Sequence, residues 1–456
     1  MGTNIETSPP EDAVAPAADA SRANADESKP DRKPPRWRDR NFNLFWVGQT
    51  FDALGDAAAT IIIPLLVLEA TGSVAQMGLV TGTMGVTSLV ASLFSGLIVD
   101  RLDRRRLLIF CDFGRALIYF FIPLYWHFAG LTALPIYLAT IVTGFLTTNF
   151  IVAYSTVVPN IVDKDHINNA NGRLQSTAAL AYVAGPMIAG FAASKFSASA
   201  AVNLVSLSYI ASGGMMMLVR LRKREAVAEV KEKKASEAKS PRLDELLAGM
   251  RFLIRHPLLR SVTLLFAAFI FVTDAAIDLS IYRLKNELGQ DNQVLGIVFG
   301  IASLGSICAG ILAALLRKKW GFGACFLGSL ALQATAIAAI GLTSSVPLVA
   351  ALATSFTFGL TVRNICSMSL RQQVTPDHLL GRVTSAWWTI ILVLGPVGTA
   401  VATGVAQRVG TTPVFVALGI SGIIVAVLGT FTPAHESHPE SDGGDPVPLA
   451  VGAAET

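Results

Sequence analysis

Two pairs of aspartates stand inside long apolar stretches: Asp52 with Asp56, and Asp274 with Asp278. Each pair is spaced i, i+4, which puts both carboxylates on one face of a helix. A carboxylate at membrane depth is costly and faces a protein interior or a water-filled cavity. Two chemistries fit: carrying a proton, or holding a polar group of a ligand. A third reading is purely structural, a partner for a buried arginine. Asp56 falls about halfway through its stretch by helical rise, with Asp52 nearer the start, where water is expected to reach it in more states. Asp274 is the more central of the second pair, and Asp278 would line an outer vestibule. Arg115 and Arg363 also enter apolar stretches. Arg115 follows Asp112 by three residues on the same face, and both lie near enough to a boundary for the arginine to snorkel. Arg363, beside Asn364, is expected within similar reach. Intramembrane ion pairs are expected of Asp112, Arg115 and Arg363, and either arginine could reach an aspartate pair.

Other chemistry has little support. Cys111, Cys308, Cys325 and Cys366 sit in or beside apolar blocks without metal-ligand spacing, which predicts buried thiols rather than disulfides or a metal site. The six histidines are scattered, so neither zinc nor haem is indicated. No G-x-x-x-x-G-K-[ST] stretch occurs, so ATP is not the direct energy source. No cofactor and no nucleic-acid partner are expected. Phe150, Tyr154, Phe266, Phe269, Trp387 and Trp388 could line an apolar pocket, although each by itself reads as lipid-facing or as packing.

The elements that must position these residues are membrane spans. The chain has 456 residues, 52% hydrophobic and 15% charged, where a soluble domain carries about 25% charged. Its mean hydropathy is +0.54. A span takes about 20 mostly apolar residues. Such blocks lie near 43–68, 75–99, 107–129, 133–158, 174–194 and 199–219, then near 260–282, 294–316, 322–342, 346–370, 383–406 and 412–432. The expected division is a disordered tail over 1–40, a six-helix bundle over 41–219, a basic linker over 220–257, a second six-helix bundle over 258–432, and a disordered tail over 433–456. The first 35 residues do not read as a signal peptide. Lys and Arg concentrate at alternate loops, among them Arg104–Arg106, the run from Arg220 to Lys234, and Arg317–Lys319. That bias predicts both termini and the linker on the cytoplasmic side.

The two halves repeat. Asp52-x-x-x-Asp56 matches Asp274-x-x-x-Asp278, Asp165-His166 matches Asp377-His378, and Gly185-Pro186 matches Gly395-Pro396. A basic cluster follows the second span of each half. Six plus six helices in repeat is an architecture of secondary transporters, with the substrate held between the halves near the midplane.

The most specific stretch is Gly96-x-x-x-Asp100-Arg101-Leu102-Asp103-Arg104-Arg105-Arg106. It resembles the signature loop between the second and third helices of the major facilitator superfamily, with Asp103 where the usual pattern has Gly. Asn43-Leu-Phe-Trp46, Leu54-Gly55-Asp56, Thr71-Gly72-Ser73, His256-Pro257-Leu258-Leu259-Arg260 and Gly381-Arg382-Val383 are similar to the third branch of the drug:proton antiporters, the macrolide-efflux-like and enterobactin-exporter-like proteins. Gly185-Pro186-x-x-Ala189-Gly190 resembles part of an exporters' antiporter motif. The resemblance implies the major facilitator fold, a latch role for Asp100, and proton-coupled efflux of a small hydrophobic or amphipathic compound by a monomer in the bacterial cytoplasmic membrane. An importer or lipid-handling facilitator shares the fold. A membrane-embedded enzyme would need a nucleophile or metal constellation, which is missing from the sequence. A transport-dead sensor would not need intramembrane acids in both halves.

Overall fold

The computed structural model describes residues 2, 40–130, 132–161, 167–220 and 243–437. The expected N-terminal tail, the Asp165-His166 stretch, most of the basic linker and the chain beyond 437 lie outside the described residues.

The described residues are all-helical. The first half comprises α1 (Arg40–Thr71), α2 (Val74–Arg101), α3 (Arg104–Ala129), α4 (Leu134–Ile161), α5 (Ile167–Lys195) and α6 (Ala198–Leu218). A short helix, α7 (Leu243–Arg255), precedes α8 (Pro257–Thr273) and α9 (Ala276–Tyr282), which a π-turn at Arg283–Glu287 extends. Then come α10 (Asn292–Leu342), α11 (Val346–Val374), α12 (Asp377–Val409) and α13 (Thr411–Gly429). Short polar side chains mark the starts. Ser73, Asp103, Ser197 and Asp291 each accept a hydrogen bond from a backbone N–H in the first turn of the helix that follows.

Among the described residues, eleven helical segments are long and apolar enough to cross a bilayer. One of them, α10, has 51 residues, about 76 Å at the helical rise and far longer than one crossing. It breaks at Gly321, whose φ is 77°. It therefore supplies two crossings, and the described residues hold twelve in all. The seventh crossing is also interrupted: α8 ends at Thr273, and Asp274 and Ala275 form a turn before α9. Side chains such as Phe110 and Phe128 are largely exposed, as a bilayer-facing surface requires.

Within the first half, α1 packs on α5 and α6, and α3 on α4 and α6. In the second, α10 packs on α11 and α13, and α8 on α12 and α13. The halves meet along α2–α12 and α5–α10. The region expected as a plain linker contains α7, which lies against α12. The region expected as a C-terminal tail begins with an ordered turn, Pro433–His435. Beyond it, the Ser437 and Glu436 carbonyls accept from the Phe322 and Gly323 N–H groups at 2.8 and 3.0 Å. These carbonyls satisfy amides that the break at Gly321 leaves free. Cys111, Cys325 and Cys366 are buried and all four thiols are free, but Cys308 is exposed, contrary to expectation.

Candidate functional site

In the first half, one guanidinium gathers three carboxylates. Arg115 Nη2 lies 2.6 Å from both Asp52 Oδ1 and Asp112 Oδ1, and Nη1 lies 3.3 Å from Asp56 Oδ1. The helices explain this. Asp52 and Asp56 project from successive turns of α1, and Asp112 and Arg115 from one face of α3. Helix α6 closes the cluster: Tyr209 OH donates to Asp56 Oδ1 at 2.7 Å, and Ser212 Oγ donates to Asp112 Oδ2 at 2.8 Å. The guanidinium also stacks between Phe150, 4.5 Å away, and Tyr209, 4.2 Å away.

This corrects two expectations. Arg115 does not snorkel; it is fully buried, because three acids and two rings meet its charge inside the bundle. Asp52 is not the wetter acid either. Its side chain is 8% exposed and that of Asp56 is 34% exposed. The helical phase of α1 turns Asp52 into the α1–α3–α6 packing and leaves Asp56 at its edge.

The second half is arranged differently. Asp274, at the turn between α8 and α9, is exposed, and its Oδ2 accepts from Thr399 Oγ1 on α12 at 3.2 Å. Asp278 is buried and does not line a vestibule; its Oδ2 accepts from Thr81 Oγ1 of α2 at 2.9 Å, a bond between the halves. Arg363 forms no ion pair among the described residues, although one was expected. It is buried over Phe266 at 4.3 Å and Phe269 at 5.3 Å, not snorkelling. Phe150, Phe266, Phe269 and Trp387 are buried packing residues, Tyr154 is half-buried, and Trp388 is exposed.

The glycine–proline elements sit where the halves touch. A methyl on Gly190 would stand 2.6 Å from Gly296 Cα on α10, and one on Gly296 would stand 2.5 Å from Pro186 O. A methyl on Gly185 would meet α1 instead, 2.6 Å from Ala57 Cβ. In the repeat, Pro396 of α12 packs against Gly82 and Gly85 of α2, and Gly78 faces Thr403. Polar contacts reinforce the same end: Ser73 with Gln407 at 3.0 Å, Asn292 with the Ala193 carbonyl at 3.3 Å, and Ser303 with the Tyr182 carbonyl at 2.8 Å. The sequence pointed to Gly185, Pro186 and Gly190, but not to their partners. Thr81, Ser212, Tyr209 and Gly296 carried no signal beyond being polar, aromatic or small residues in apolar helices.

In the signature loop, α2 runs through Gly96 and Asp100 to Arg101, whose side chain is exposed; the side chain of Asp100 lies outside the described residues. Asp103 caps α3, accepting from the Arg106 N–H at 2.9 Å. Arg105 Nε donates to the Met216 carbonyl at 3.2 Å, and Nη2 to the Met217 carbonyl. A cation thus meets the C-terminal, carbonyl end of α6. Arg104 is half-buried at the start of α3. Among the described residues no cluster of His, Cys, Asp and Glu has the makings of a metal site.

Known proteins agree with this architecture. The chain is 23% identical over 392 residues to the multidrug efflux pump Tap of Mycolicibacterium fortuitum, covering 83% of this chain and 92% of that one. It is 24% identical over 393 residues to the enterobactin exporter EntS of Escherichia coli (strain UTI89 / UPEC), covering 81% and 86%. Among solved structures, the nucleoside transporter NupG superposes with a TM-score of 0.68 at 11% identity, over 86% of this chain and 98% of that one. A bacterial homologue of the iron transporter ferroportin, in an inward-facing state, superposes at 0.63 with 14% identity, over 86% and 97%. A family profile matches residues 45–395 and 264–453, and the chain is a multi-pass membrane transporter, not an enzyme, belonging to the Major Facilitator Superfamily.

Proposed function

We propose that this protein is an exporter of a small hydrophobic or amphipathic organic compound, driven by proton entry across the bacterial cytoplasmic membrane. The observation that carries the reading is the first-half cluster, in which three carboxylates share one guanidinium. An excess of acid over base in an apolar bundle is costly unless protons or a cationic group balance it in turn. Asp56 is the half-open member and so the place where a proton enters and leaves. The efflux activities in the names of the Tap and EntS relatives support the outward direction.

Both termini and the segment around 220–257 are assigned to the cytoplasm on the Lys/Arg bias. The halves touch at the end carrying Gly72 and Gly410, which the same bias assigns to the outer face. Alternation is then a rocking of one half against the other about the α2–α12 and α5–α10 contacts.

The test uses everted vesicles holding the full chain, with ethidium and anilinonaphthalene sulfonate as fluorescent probes of opposite charge. Uphill movement of at least one probe should stop on addition of a protonophore and persist without ATP while the gradient is held. Uphill movement that survives collapse of both the pH gradient and the membrane potential would remove proton coupling. Reporter fusions at Leu221 and at the C-terminus should read as cytoplasmic.

A further inference from the structure

The second half buries two cations that no acid among the described residues pairs with. Arg363 is 2% exposed and Arg371 4% exposed. Both stand on α11, eight residues or about 12 Å apart along the axis. Two aromatic rings join them in a ladder. The Arg371 guanidinium lies 3.7 Å from the Trp387 ring centre, Trp387 meets Phe266 edge-to-face at 4.9 Å, and Arg363 lies 4.3 Å over Phe266. Trp388, 51% exposed, abuts Trp387 at 5.0 Å and forms the outer edge.

Several donors of this ladder lack acceptors. Arg363 Nε and Nη1, Arg371 Nε and Trp387 Nε1 are all buried with no hydrogen-bond partner. Arg371 Nη1 reaches Ser367 Oγ at 2.8 Å, and Nη2 reaches only the Met368 sulfur, at 3.4 Å. Asp274 is the acid whose charge bears on Arg363, but its Oδ2 is held by Thr399 at 3.2 Å. Buried N–H groups are rarely left unmatched, least of all on guanidinium. Their shared deficit is an acceptor carrying negative charge. The rings between them favour a flat apolar body attached to it.

We propose that Arg363 and Arg371, with Trp387 and Phe266 between them, form a subsite for an acidic oxygen borne by an aromatic or otherwise apolar compound. Arg371, in the last turn of α11, meets the acid near the membrane face, and Arg363 holds it deeper in the bundle. Guanidinium binds a carboxylate or phenolate through charge-assisted paired hydrogen bonds, which a neutral isostere does not supply. In the first half the buried Arg115 is instead already met by three carboxylates. This subsite rests on the export reading only for what happens to the compound after it binds.

The test is equilibrium binding with no gradient, on the full chain in phosphatidylcholine nanodiscs. The probes are 2-naphthoate and its neutral isostere 2-naphthamide, followed by naphthyl fluorescence. Naphthoate should bind saturably and at least about tenfold more tightly than the amide. Arg363→Gln should weaken naphthoate about tenfold and leave the amide unchanged, while Arg363→Lys should retain part of the preference. Trp387→Phe, which keeps the ring and removes the donor, should weaken naphthoate by a smaller factor of about three. Equal affinity for acid and amide overturns the proposal, and that comparison needs no variant. So does naphthoate binding unchanged in Arg363→Gln, or absent altogether. An anionic lipid headgroup offers the same acceptor chemistry, so the titration is repeated with one-third phosphatidylglycerol. Naphthoate affinity falling there would overturn the assignment to a transported compound and give the subsite to lipid. Binding through Arg363 without proton-driven export would refute the export reading alone, and the reverse result would refute the subsite alone.

Discussion

Asp278 and Thr81 belong to opposite halves, and their side chains meet at 2.9 Å in a partly buried contact. The bond ties the seventh crossing, just past its turn at Asp274 and Ala275, to α2. If the halves rock as proposed, it breaks when they part at this end. Removing it should therefore favour the alternative state by about 1 kcal/mol, the usual worth of a hydrogen bond, or roughly fivefold in population. Cross-linking reads this directly. Ser73→Cys with Gln407→Cys, side chains in contact at 3.0 Å in the same interface, should form a disulfide in a background lacking the native cysteines. Adding Thr81→Val should cut its yield several-fold. An unchanged yield would mean that the contact does not contribute to closure.

The Arg115 cluster separates structural from coupling roles. Arg115→Leu leaves buried carboxylates without their cation and should lower stability by about 3–5 kcal/mol, read as a large fall in melting temperature. Asp56→Asn, at the half-open position, should melt close to the parent and still reach the membrane, yet lose proton-driven export by about tenfold or more. Asp56→Glu should keep part of the activity. Near-normal uphill export by Asp56→Asn would move the coupling role to Asp274. Asp52→Asn should be felt mainly in stability, because Asp52 is the buried partner at 2.6 Å from Arg115.

Contact between Gly190 and Gly296 sets how closely α5 and α10 approach. The atoms a Gly190 side chain would meet are backbone, 2.6 Å away at Gly296 Cα, and backbone cannot swing aside as a side-chain tip does. Gly190→Leu should hold this end open. Transport should fall at least about tenfold while the melting temperature moves only a few degrees, since overpacking costs about 1–3 kcal/mol. The Ser73→Cys/Gln407→Cys cross-link should also fall. A variant that transports normally would show that the two helices can separate without consequence.

Asp103 departs from the family pattern and has a visible use as the cap of α3. Asp103→Ala should cost about 1 kcal/mol, and Asp103→Gly only a few tenths, as at other helix N-caps. Thermal melting of the two variants checks the order. If Gly proved the worse of the two, the Asp103 side chain would hold more than the helix start.

Sequence alone determined the class of this protein. Apolar blocks near bilayer length, an alternating Lys/Arg bias and repeated aspartate and glycine–proline pairs are one-dimensional signals, set by bilayer thickness, insertion energetics and duplication. They gave the twelve crossings, including the split near 316–322 that the positive-φ Gly321 makes. They also singled out the acids at membrane depth, since a charge there is conspicuous wherever it points. Which charge meets which was decided only by the tertiary structure. Asp52 and Asp56 share a helix face by spacing, yet that Arg115 joins both, while Arg363 pairs with neither Asp274 nor Asp278, depends on the rotation and tilt of α1, α3, α8 and α11. The partners Thr81, Tyr209, Ser212 and Gly296 are ordinary residues of membrane helices and acquire a role only through packing. Exposure reversed for the same reason. Distance from a span end predicted a wetter Asp52, but burial in a bundle follows the direction a side chain faces, and three packed helices close over Asp52 before they close over Asp56.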